Sequence, residues 1–302
     1  MPIQSVYFLG LGALGAKYAA SFYDYNSSLV KIIVNEERKT RYEKENIFVN
    51  QKEYQFDYIT SVDNNQYPDF IFVVVKSEQL DQAIIDLKPF VGENTLILSL
   101  MNGISSERKL AEVFGWDKVV NAVAYMDAVK VGNQVSYGSI GMIIFGHVKN
   151  QLQDRLQELN ELMTEAKIPN KFSDDIENAQ WAKYLVNVVT NQLSFLLEFT
   201  YGQIMTNEYA DNLMNMISDE VLTIGEAHGI TIGQKDVERM KATLGKVEPT
   251  SKTSMYQDRD AKRISEVEEF AGEIIRLGKQ YTIATPYNEF IYNMVKAIEK
   301  DY

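Results

Sequence analysis

The first half of the chain alternates short apolar runs with segments of helical periodicity. The apolar runs predict strands at Val6–Leu9, Val30–Val34, Phe70–Val75, Leu96–Leu100 and Val119–Tyr125. Between these runs, apolar residues recur every three or four positions, which predicts helices over Ala13–Tyr23, Gln79–Leu87 and Ser106–Phe114. Phe70–Val75 is apolar throughout, as expected of a strand covered on both faces. Strands that alternate with helices predict a parallel sheet.

The pattern changes beyond Val135. Val135–Phe145 predicts one or two edge strands with Gly turns, followed by a helix over Asn150–Ala166. The remaining pattern is helical, with long amphipathic segments at Glu177–Phe199, Ala210–His228, Gln234–Leu244 and Ile264–Gln280. We therefore expect an α/β domain over residues 1–170 and an all-α domain over residues 171–302.

Composition excludes several classes of function. The 302 residues include 30 Lys and Arg, 42 Asp and Glu, two His and no Cys, so the net charge is −12. Without cysteine there is no disulfide framework, thiolate nucleophile or Cys-based zinc site. An acidic chain is a poor candidate for binding nucleic acid, but a locally positive pocket can still bind an anionic substrate.

No apolar run approaches the roughly 18 residues that a membrane-spanning helix needs. Ser5–Ala16 has the length of a signal-peptide core, but the first charged side chain is Lys17, so no basic segment precedes it. We expect a cytoplasmic protein that binds no membrane.

Three glycines form G-x-G-x-x-G between the first predicted strand and the first helix. Gly10 would permit the tight turn, Gly12 the approach of a pyrophosphate to the backbone, and Gly15 close packing of helix on strand. The helix N-terminus would present N–H groups to the phosphates. Glycines used only for the turn are the alternative. We interpret the segment as the dinucleotide-binding turn of a Rossmann-like domain, formed by Gly10, Leu11, Gly12, Ala13, Leu14 and Gly15.

The residue after the second strand usually selects between NAD and NADP. An acidic residue there binds the ribose hydroxyls of NAD, and a basic one accepts the phosphate of NADP. Here Asn35 would not repel a phosphate, and Arg38 or a neighbouring basic residue could bind one, which favours NADP. Glu36 and Glu37 could instead serve NAD, and a solvated turn also explains these charges.

Polar residues also follow two other predicted strands. Lys76 ends FIFVVV, and Asn102-Gly103 follows LILSLM. Ligands of open α/β sheets bind outside the carboxyl ends of the strands, so Lys76 and Asn102 are candidates for the cofactor crevice. A lysine that extends to water and an ordinary Asn-Gly turn are the alternatives, and the turn is favoured for Asn102-Gly103 taken alone.

Lys183, Asn187 and Asn191 form a polar stripe on an otherwise apolar predicted helix. Their four-residue spacing drifts by only about 40° per step. A solvent-facing stripe is the alternative, but Asn is a weak helix former, which favours a stripe facing a cleft. A lysine in an apolar cleft loses hydration, so its pKa can fall toward the range of a general acid.

A carboxylate late in the chain could stabilise that lysine. Glu266 lies in the predicted helix Ile264–Gln280, although an ordinary surface position also explains it. Ser254 and Gln257 fit a capping box, which would give Ser254 a structural role.

In this order, the motifs resemble those of the ketopantoate reductase (2-dehydropantoate 2-reductase) family over nearly the whole chain. The matching segments are GLGALG, VVVKSEQL, the pair Asn102-Gly103, WAKYLVNVVTN and TSMYQDRDAKRISE. Three features depart from the family pattern: Asn35 stands where Arg is common, Met101 where Gln is frequent, and Asn121–Val131 lacks the small residues expected near the substrate.

The resemblance implies reduction of 2-dehydropantoate to (R)-pantoate, a precursor of pantothenate and coenzyme A, with NADPH as the cofactor and no metal. Lys183 would be the general acid and Glu266 would help to position the substrate. Asn187, Asn191 and Ser254 would bind the carboxylate and hydroxyl groups of the substrate. Lys76 and Asn102 would lie where nicotinamide and substrate meet, in a cleft between the two domains.

Two other hypotheses stay open at this point. The same scaffold could reduce another 2-oxo or 3-oxo acid, or the chain could be a non-enzymatic dinucleotide-sensing protein. In each case we expect a small-molecule ligand, and a homodimer stays open.

Overall fold

The computed structural model describes residues 3–63, 66–126, 128–138, 141–149 and 152–302. The chain divides into two compact units. The α/β unit comprises Met1–Met101 and Ser106–Ile176, and the helical unit comprises Asn102–Ser105 and Glu177–Tyr302. The short segment Asn102–Ser105 therefore belongs to the helical unit, because its contacts group it with the helices. Within the described ranges, no helix is both long enough and apolar enough to cross a membrane.

The α/β unit is built from short strands and intervening helices. Its described strands are β1 (Val6–Leu9), β2 (Val30–Ile33), β3 (Ile47–Val49), β4 (Lys52–Tyr54), β5 (Asp57–Ile59), β6 (Phe70–Val73), β7 (Leu96–Ser99), β8 (Val119–Tyr125), β9 (Ala128–Val131), β10 (Gln134–Tyr137), β11 (Met142–Gly146) and β12 (Asn170–Phe172). Its helices are α1 (Ala13–Tyr25), α2 (Glu36–Lys44), α3 (Leu80–Leu87), α4 (Ser106–Phe114) and α5 (Gln153–Glu165).

The main sheet has the order β12-β11-β8-β7-β6-β1-β2-β5. Its central strands pair in parallel, and β11 runs antiparallel to β8. Both faces are covered: Phe8 stacks on Phe72 with ring centroids 5.0 Å apart, while Ile71 and Val73 face a second apolar core. The predicted α/β class with a parallel, doubly covered sheet is confirmed.

The segment Val135–Phe145 divides between two sheets. β10 joins a four-stranded sheet of order β4-β3-β10-β9, which packs on α1, whereas β11 joins the main sheet. The predicted helix begins at Gln153, and its expected start at Asn150 lies outside the described residues, as do Ser139 and Ile140. The four-stranded sheet was missed, because three-residue strands such as β4 show too little alternation to be recognised.

The main part of the helical unit begins within α6 (Ile176–Val186). Its other described helices are α7 (Gln192–Leu197), α8 (Tyr201–Thr206), α9 (Glu208–Ala227), α10 (Gln234–Leu244), α11 (Ser254–Asp260), α12 (Glu273–Tyr281) and α13 (Pro286–Glu299). Two segments are π-helical: the first π-segment is Asn187–Asn191 and the second is Glu268–Gly272. The all-α character expected of this half of the chain is confirmed.

The two π-segments correct two predicted helices. The long helix expected over Glu177–Phe199 is α6, the first π-segment and α7 in succession. The helix expected from Ile264 starts only at Glu268, so Glu266 lies in the bend before it. Side chains compete for the backbone at both places: the N–H of Ser265, for example, donates to Glu299 Oε1 at 2.7 Å. Hydrophobic periodicity does not record such bonds.

Lys17 on α1 is a fully buried cation. Its side chain has 0% exposure, and no described residue offers its Nζ a hydrogen-bond partner. The ammonium lies 3.9 Å from the centroid of the Tyr18 ring, which offsets part of the lost hydration. Burial lowers the pKa of Lys17 from 10.5 to about 8.

We predict that Lys17→Met stabilises the folded protein by roughly 1–3 kcal/mol at pH 7. The folded-state pKa lies below the unfolded value, so the penalty is complete below about pH 8 and is lost as the pH rises toward 10.5. Urea unfolding at pH 7 and pH 10 measures the effect, with Lys44→Met on the exposed face of α2 as the control. An equal gain at both pH values would contradict the assignment.

Candidate functional site

The glycine-rich turn joins β1 to α1. Gly10 has φ of +109°, and a Cβ there would lie 2.3 Å from the carbonyl oxygen of Val74 at the end of β6. A Cβ on Gly15 would lie 2.1 Å from the carbonyl oxygen of Gly10. A Cβ on Gly12 would have nothing within 4 Å. The first and third glycines are thus needed for packing, whereas the second borders open space at the N-terminus of α1, where a phosphate can approach.

A cavity of about 570 Å³ opens at the carboxyl ends of β1 and β2. Asn35, Glu36 and Arg38 all line it, so the acidic and basic candidates of the sequence face the same space. Asn35 has an additional structural role, because its Oδ1 accepts the N–H of Arg38 at 2.8 Å and caps α2. The cavity has the position expected for a nucleotide in an open α/β sheet. Lys76, exposed, follows β6 beside this edge.

Lys130 on β9 was missed by the sequence reasoning. Its Nζ donates to the carbonyl oxygen of Leu11 within the glycine-rich turn, at 2.5 Å. Burial, with a smaller contribution from Arg41, lowers the pKa of Lys130. The residue stands on a short alternating strand, and only the pairing of the second sheet brings it to the turn, so no local signal could identify it.

In the helical unit, three predicted residues form a continuous chain of hydrogen bonds. Lys183 Nζ donates to Asn102 Oδ1 at 3.0 Å, and Asn102 Nδ2 donates to Glu266 Oε2 at 2.9 Å. The amide of Asn102 therefore lies between an ammonium and a carboxylate, with its oxygen toward the cation. Asn102-Gly103 does lie in a bend, with φ of +93° at Gly103, and the side chain of Asn102 makes these two hydrogen bonds in addition.

Lys183 has the electrostatic properties of a proton donor. Burial lowers its pKa from 10.5 to about 8, and the negative charge of Glu266 opposes that shift. At neutral pH the group is therefore mostly protonated but gives up its proton more readily than an exposed lysine. In the described part of the chain, no group of three or more His, Asp or Glu side chains is placed to hold a metal ion.

The other members of the polar stripe are also buried. Asn187 is 8% exposed and Asn191 is 5% exposed, which rules out the solvent-facing alternative for both. A π-helical turn holds more residues than an α-helical turn, so the step from Asn187 to Asn191 reverses part of the α-helical drift. The π-segment therefore keeps the stripe straighter than the sequence predicted.

Ser254 pairs with this stripe. Asn191 Nδ2 donates to Ser254 Oγ at 3.2 Å. The residue that caps α11 is Thr253, whose hydroxyl accepts the N–H of Tyr256 at 3.2 Å. The capping role considered for Ser254 is therefore wrong by one position, and its hydroxyl faces Asn191.

Glu269 is a second residue that the sequence reasoning missed. It is buried within the second π-segment and accepts a hydrogen bond from Ser105 Oγ. A Cβ on Gly103 would lie 3.1 Å from Glu269 Oε2, so the acid packs directly against the Asn102–Ser105 segment. Glu269 thereby holds the segment that carries Asn102. In the sequence it is one of several neighbouring acids, with nothing to distinguish it.

Comparison with known proteins gives one consistent family. The family model described as "Ketopantoate reductase PanE/ApbA" matches residues 6–150, and "Ketopantoate reductase PanE/ApbA C terminal" matches residues 175–299. The chain is 29% identical over 305 residues to a 2-dehydropantoate 2-reductase of Aquifex aeolicus (strain VF5), covering 98% of this chain and 97% of the relative.

Solved structures show the same fold. A D-mandelate dehydrogenase in ternary complex with NADH and anilino(oxo)acetate has a TM-score of 0.90 at 21% identity, covering 98% of both chains. A dimeric ketopantoate reductase from Staphylococcus aureus has a TM-score of 0.84 at 23% identity, covering 98% of this chain and 99% of that chain.

We predict that Gly12→Ala and Gly15→Ala separate binding from folding. Gly12→Ala fits into open space, so thermal stability should stay unchanged while dinucleotide affinity falls by about tenfold or more. Gly15→Ala forces a Cβ against the Gly10 carbonyl and should lower the unfolding temperature. Calorimetric titration and thermal unfolding measure the two effects. Equal losses of stability in both variants would contradict this division of roles.

Proposed function

Because the chain belongs to the ketopantoate reductase family, we propose that it is an NADPH-dependent reductase that converts 2-dehydropantoate to (R)-pantoate in pantothenate and coenzyme A biosynthesis. The observation that carries this proposal is the hydrogen-bonded chain Lys183–Asn102–Glu266. It supplies a protonated group of lowered pKa, an oriented amide and a carboxylate. These are the parts that reduction of a ketone requires from the protein.

The α/β unit, over the proposed cofactor domain 1–170, suits a dinucleotide. The open space at Gly12 and the N-terminus of α1 suit the phosphates, and the adjoining cavity suits the adenosine end. When bound, the cofactor would supply the hydride to the ketone carbon. Arg38 and Lys130 support NADPH because each adds a cation near this surface, and Asn35 would not repel a phosphate. Glu36 in the same cavity is the feature that would favour NADH.

We propose that Lys183, in the proposed catalytic domain 171–302, supplies the proton that the ketone oxygen receives. Its Nζ would donate to the ketone oxygen, and the remaining ammonium hydrogens would stabilise the developing alkoxide before transfer is complete. Asn102 accepts from that Nζ and so fixes its direction, while Glu266 keeps the ammonium charged and orients the amide. Because these groups are already hydrogen bonded, little reorganisation is needed in the transition state.

Asn187, Asn191 and Ser254 are the proposed substrate ligands. Amide N–H and hydroxyl groups suit the carboxylate and hydroxyl of 2-dehydropantoate, and Asn191 and Ser254 already contact each other. Lys76 and Asn102 are proposed to contact the nicotinamide end of the cofactor. We also propose a cytoplasmic homodimer; the dimeric relative from Staphylococcus aureus supports the assembly.

A second candidate is reduction of a different 2-oxo acid on the same scaffold. It is favoured by the D-mandelate dehydrogenase that matches the fold and was solved with NADH and anilino(oxo)acetate. The proposed general-acid lysine and polar groups would fit any 2-oxo carboxylate. Selectivity for the rest of the substrate must therefore come from other residues of the site.

Initial rates with 2-dehydropantoate, 2-oxoisovalerate and phenylglyoxylate, each with NADPH and NADH, test the proposal. We expect the highest kcat/KM for 2-dehydropantoate with NADPH. Lys183→Ala should lower kcat at least about 100-fold while dinucleotide affinity is kept, and exposed Lys279→Ala should match the wild type. A higher rate on another acid selects the second candidate, and dinucleotide binding without turnover of any acid selects a sensing protein.

We predict that reduction slows as the pH rises through about 8, because Lys183 must be protonated to act as the acid. Glu266→Gln removes the charge that raises the Lys183 pKa, so this limb of kcat/KM should move to lower pH by about one unit. The pH–rate profile measures the shift, with the exposed neighbour Glu268→Gln as the matched control. A limb that stays in place or moves upward would exclude Lys183 as the titrating acid.

A further inference from the structure

The second π-segment has a gap in its backbone hydrogen bonding. Phe270 N–H donates to the Glu266 carbonyl at 3.1 Å, and Gly272 N–H donates to the Val267 carbonyl at 3.0 Å. The ladder thus changes from a four-residue to a five-residue step across Ala271. The N–H of Ala271 donates instead to a side chain, Gln192 Oε1, at 3.1 Å.

The same glutamine also contacts the first π-segment. Gln192 Nε2 donates to the carbonyl of Val188 at 2.6 Å, and the whole side chain has 0% exposure. One amide therefore satisfies a donor in one π-segment and an acceptor in the other. Because a buried backbone donor without a partner is costly, the hydrogen bond to the N–H of Ala271 stabilises the second π-segment, and the hydrogen bond to Val188 links it to the first.

A further set of hydrogen bonds fixes the side chain of Gln192. Its Nε2 lies 3.4 Å from Asn288 Oδ1, and Asn288 Nδ2 donates to Glu220 Oε2 at 2.7 Å. Glu220 also accepts the N–H groups of Tyr287 and Asn288 at 2.7 and 3.0 Å, at the N-terminus of α13. A carboxylate is favourable at that helix end, so the network has a fixed charged anchor.

We propose that Gln192 is a positioning residue that holds the two π-segments in register and thereby sets the arrangement of the catalytic groups. A π-segment has one residue more than the α-helix that would replace it, and each residue turns an α-helix by about 100°. Loss of the first π-segment would rotate Asn191 relative to Lys183. Loss of the second would move Glu269 and, through Ser105, the segment that carries Asn102.

Loss of this register would weaken binding of the oxo acid and slow proton transfer, and this part of the inference rests on the proposed function. Asn191 and Ser254 would lose their alignment, and Lys183 would lose its fixed direction toward the substrate. The glycine-rich turn and its cavity belong to the α/β unit and make no use of Gln192. Affinity for the dinucleotide should therefore change by much less than the rate, because Asn102 is the one proposed cofactor contact that lies in the displaced segment.

Gln192→Met tests the proposal, because methionine has a similar length but can replace neither hydrogen bond. We expect kcat/KM for the oxo acid to fall about 100-fold, with KM for the acid raised and dinucleotide affinity lowered by less than about tenfold. The basic limb of the pH profile should move to lower pH, because displacement of Asn102 removes an acceptor that stabilises the charged form of Lys183. Val237→Ala on α10 is the control: it removes buried apolar volume from the same unit away from both π-segments, so it should lower the unfolding temperature without these kinetic changes.

Hydrogen exchange at the Ala271 amide gives a readout that needs no activity. Exchange should be at least about tenfold faster in Gln192→Met than in Val237→Ala of equal stability. If Gln192→Met does not fold, Gln192→Asn, which is one methylene too short to reach both partners, replaces it. Wild-type exchange and kinetics in a folded Gln192 variant would overturn the proposal. Faster exchange in the variant, together with a wild-type protein that is inactive on every oxo acid, would leave the register role intact and reject the proposed function instead.

Discussion

The ammonium of Lys183 is the group around which the chemistry of the helical unit is arranged. Burial removes part of its hydration, and an unpaired charge there would lose its proton or destabilise the fold. Asn102 and Glu266 supply what is lost, the first through its amide oxygen and the second through its negative charge. The balance leaves a lysine with a pKa of about 8, which is mostly protonated at neutral pH.

The backbone on either side of this group is irregular. Lys183 is followed by the first π-segment, and Glu266 precedes the second. A buried glutamine binds a backbone group in each of them, the carbonyl of Val188 in the first and the N–H of Ala271 in the second. Lys17 in the α/β unit has no such support from the described residues except aromatic rings, and so it remains a source of instability.

Much of the architecture was predictable from periodicity. The central strands of the main sheet, the glycine-rich turn and the helices α4 and α10 lie where the apolar pattern placed them, whereas the edge strands β5 and β12 were missed. The roles of Gly10 and Gly15 also follow from their spacing, because a strand that enters a helix through a tight turn leaves no room for side chains. The predictions were wrong where side chains bind the backbone, as at Ser265 and Thr253, because such bonds have no periodic signature.

The sequence alone determined which polar residues would be costly to bury: Lys183, Asn187 and Asn191 stand on an apolar helix, and that mismatch identified them. It could not determine what they contact. Asn102 and Glu266 are 164 positions apart, and Gln192 and Ala271 are 79 apart. Lys130 and Glu269 gave no local signal at all. A hydrophobic pattern reports only whether each position is buried, whereas hydrogen bonds between distant segments depend on how the helices and strands pack, and that is decided by the tertiary structure.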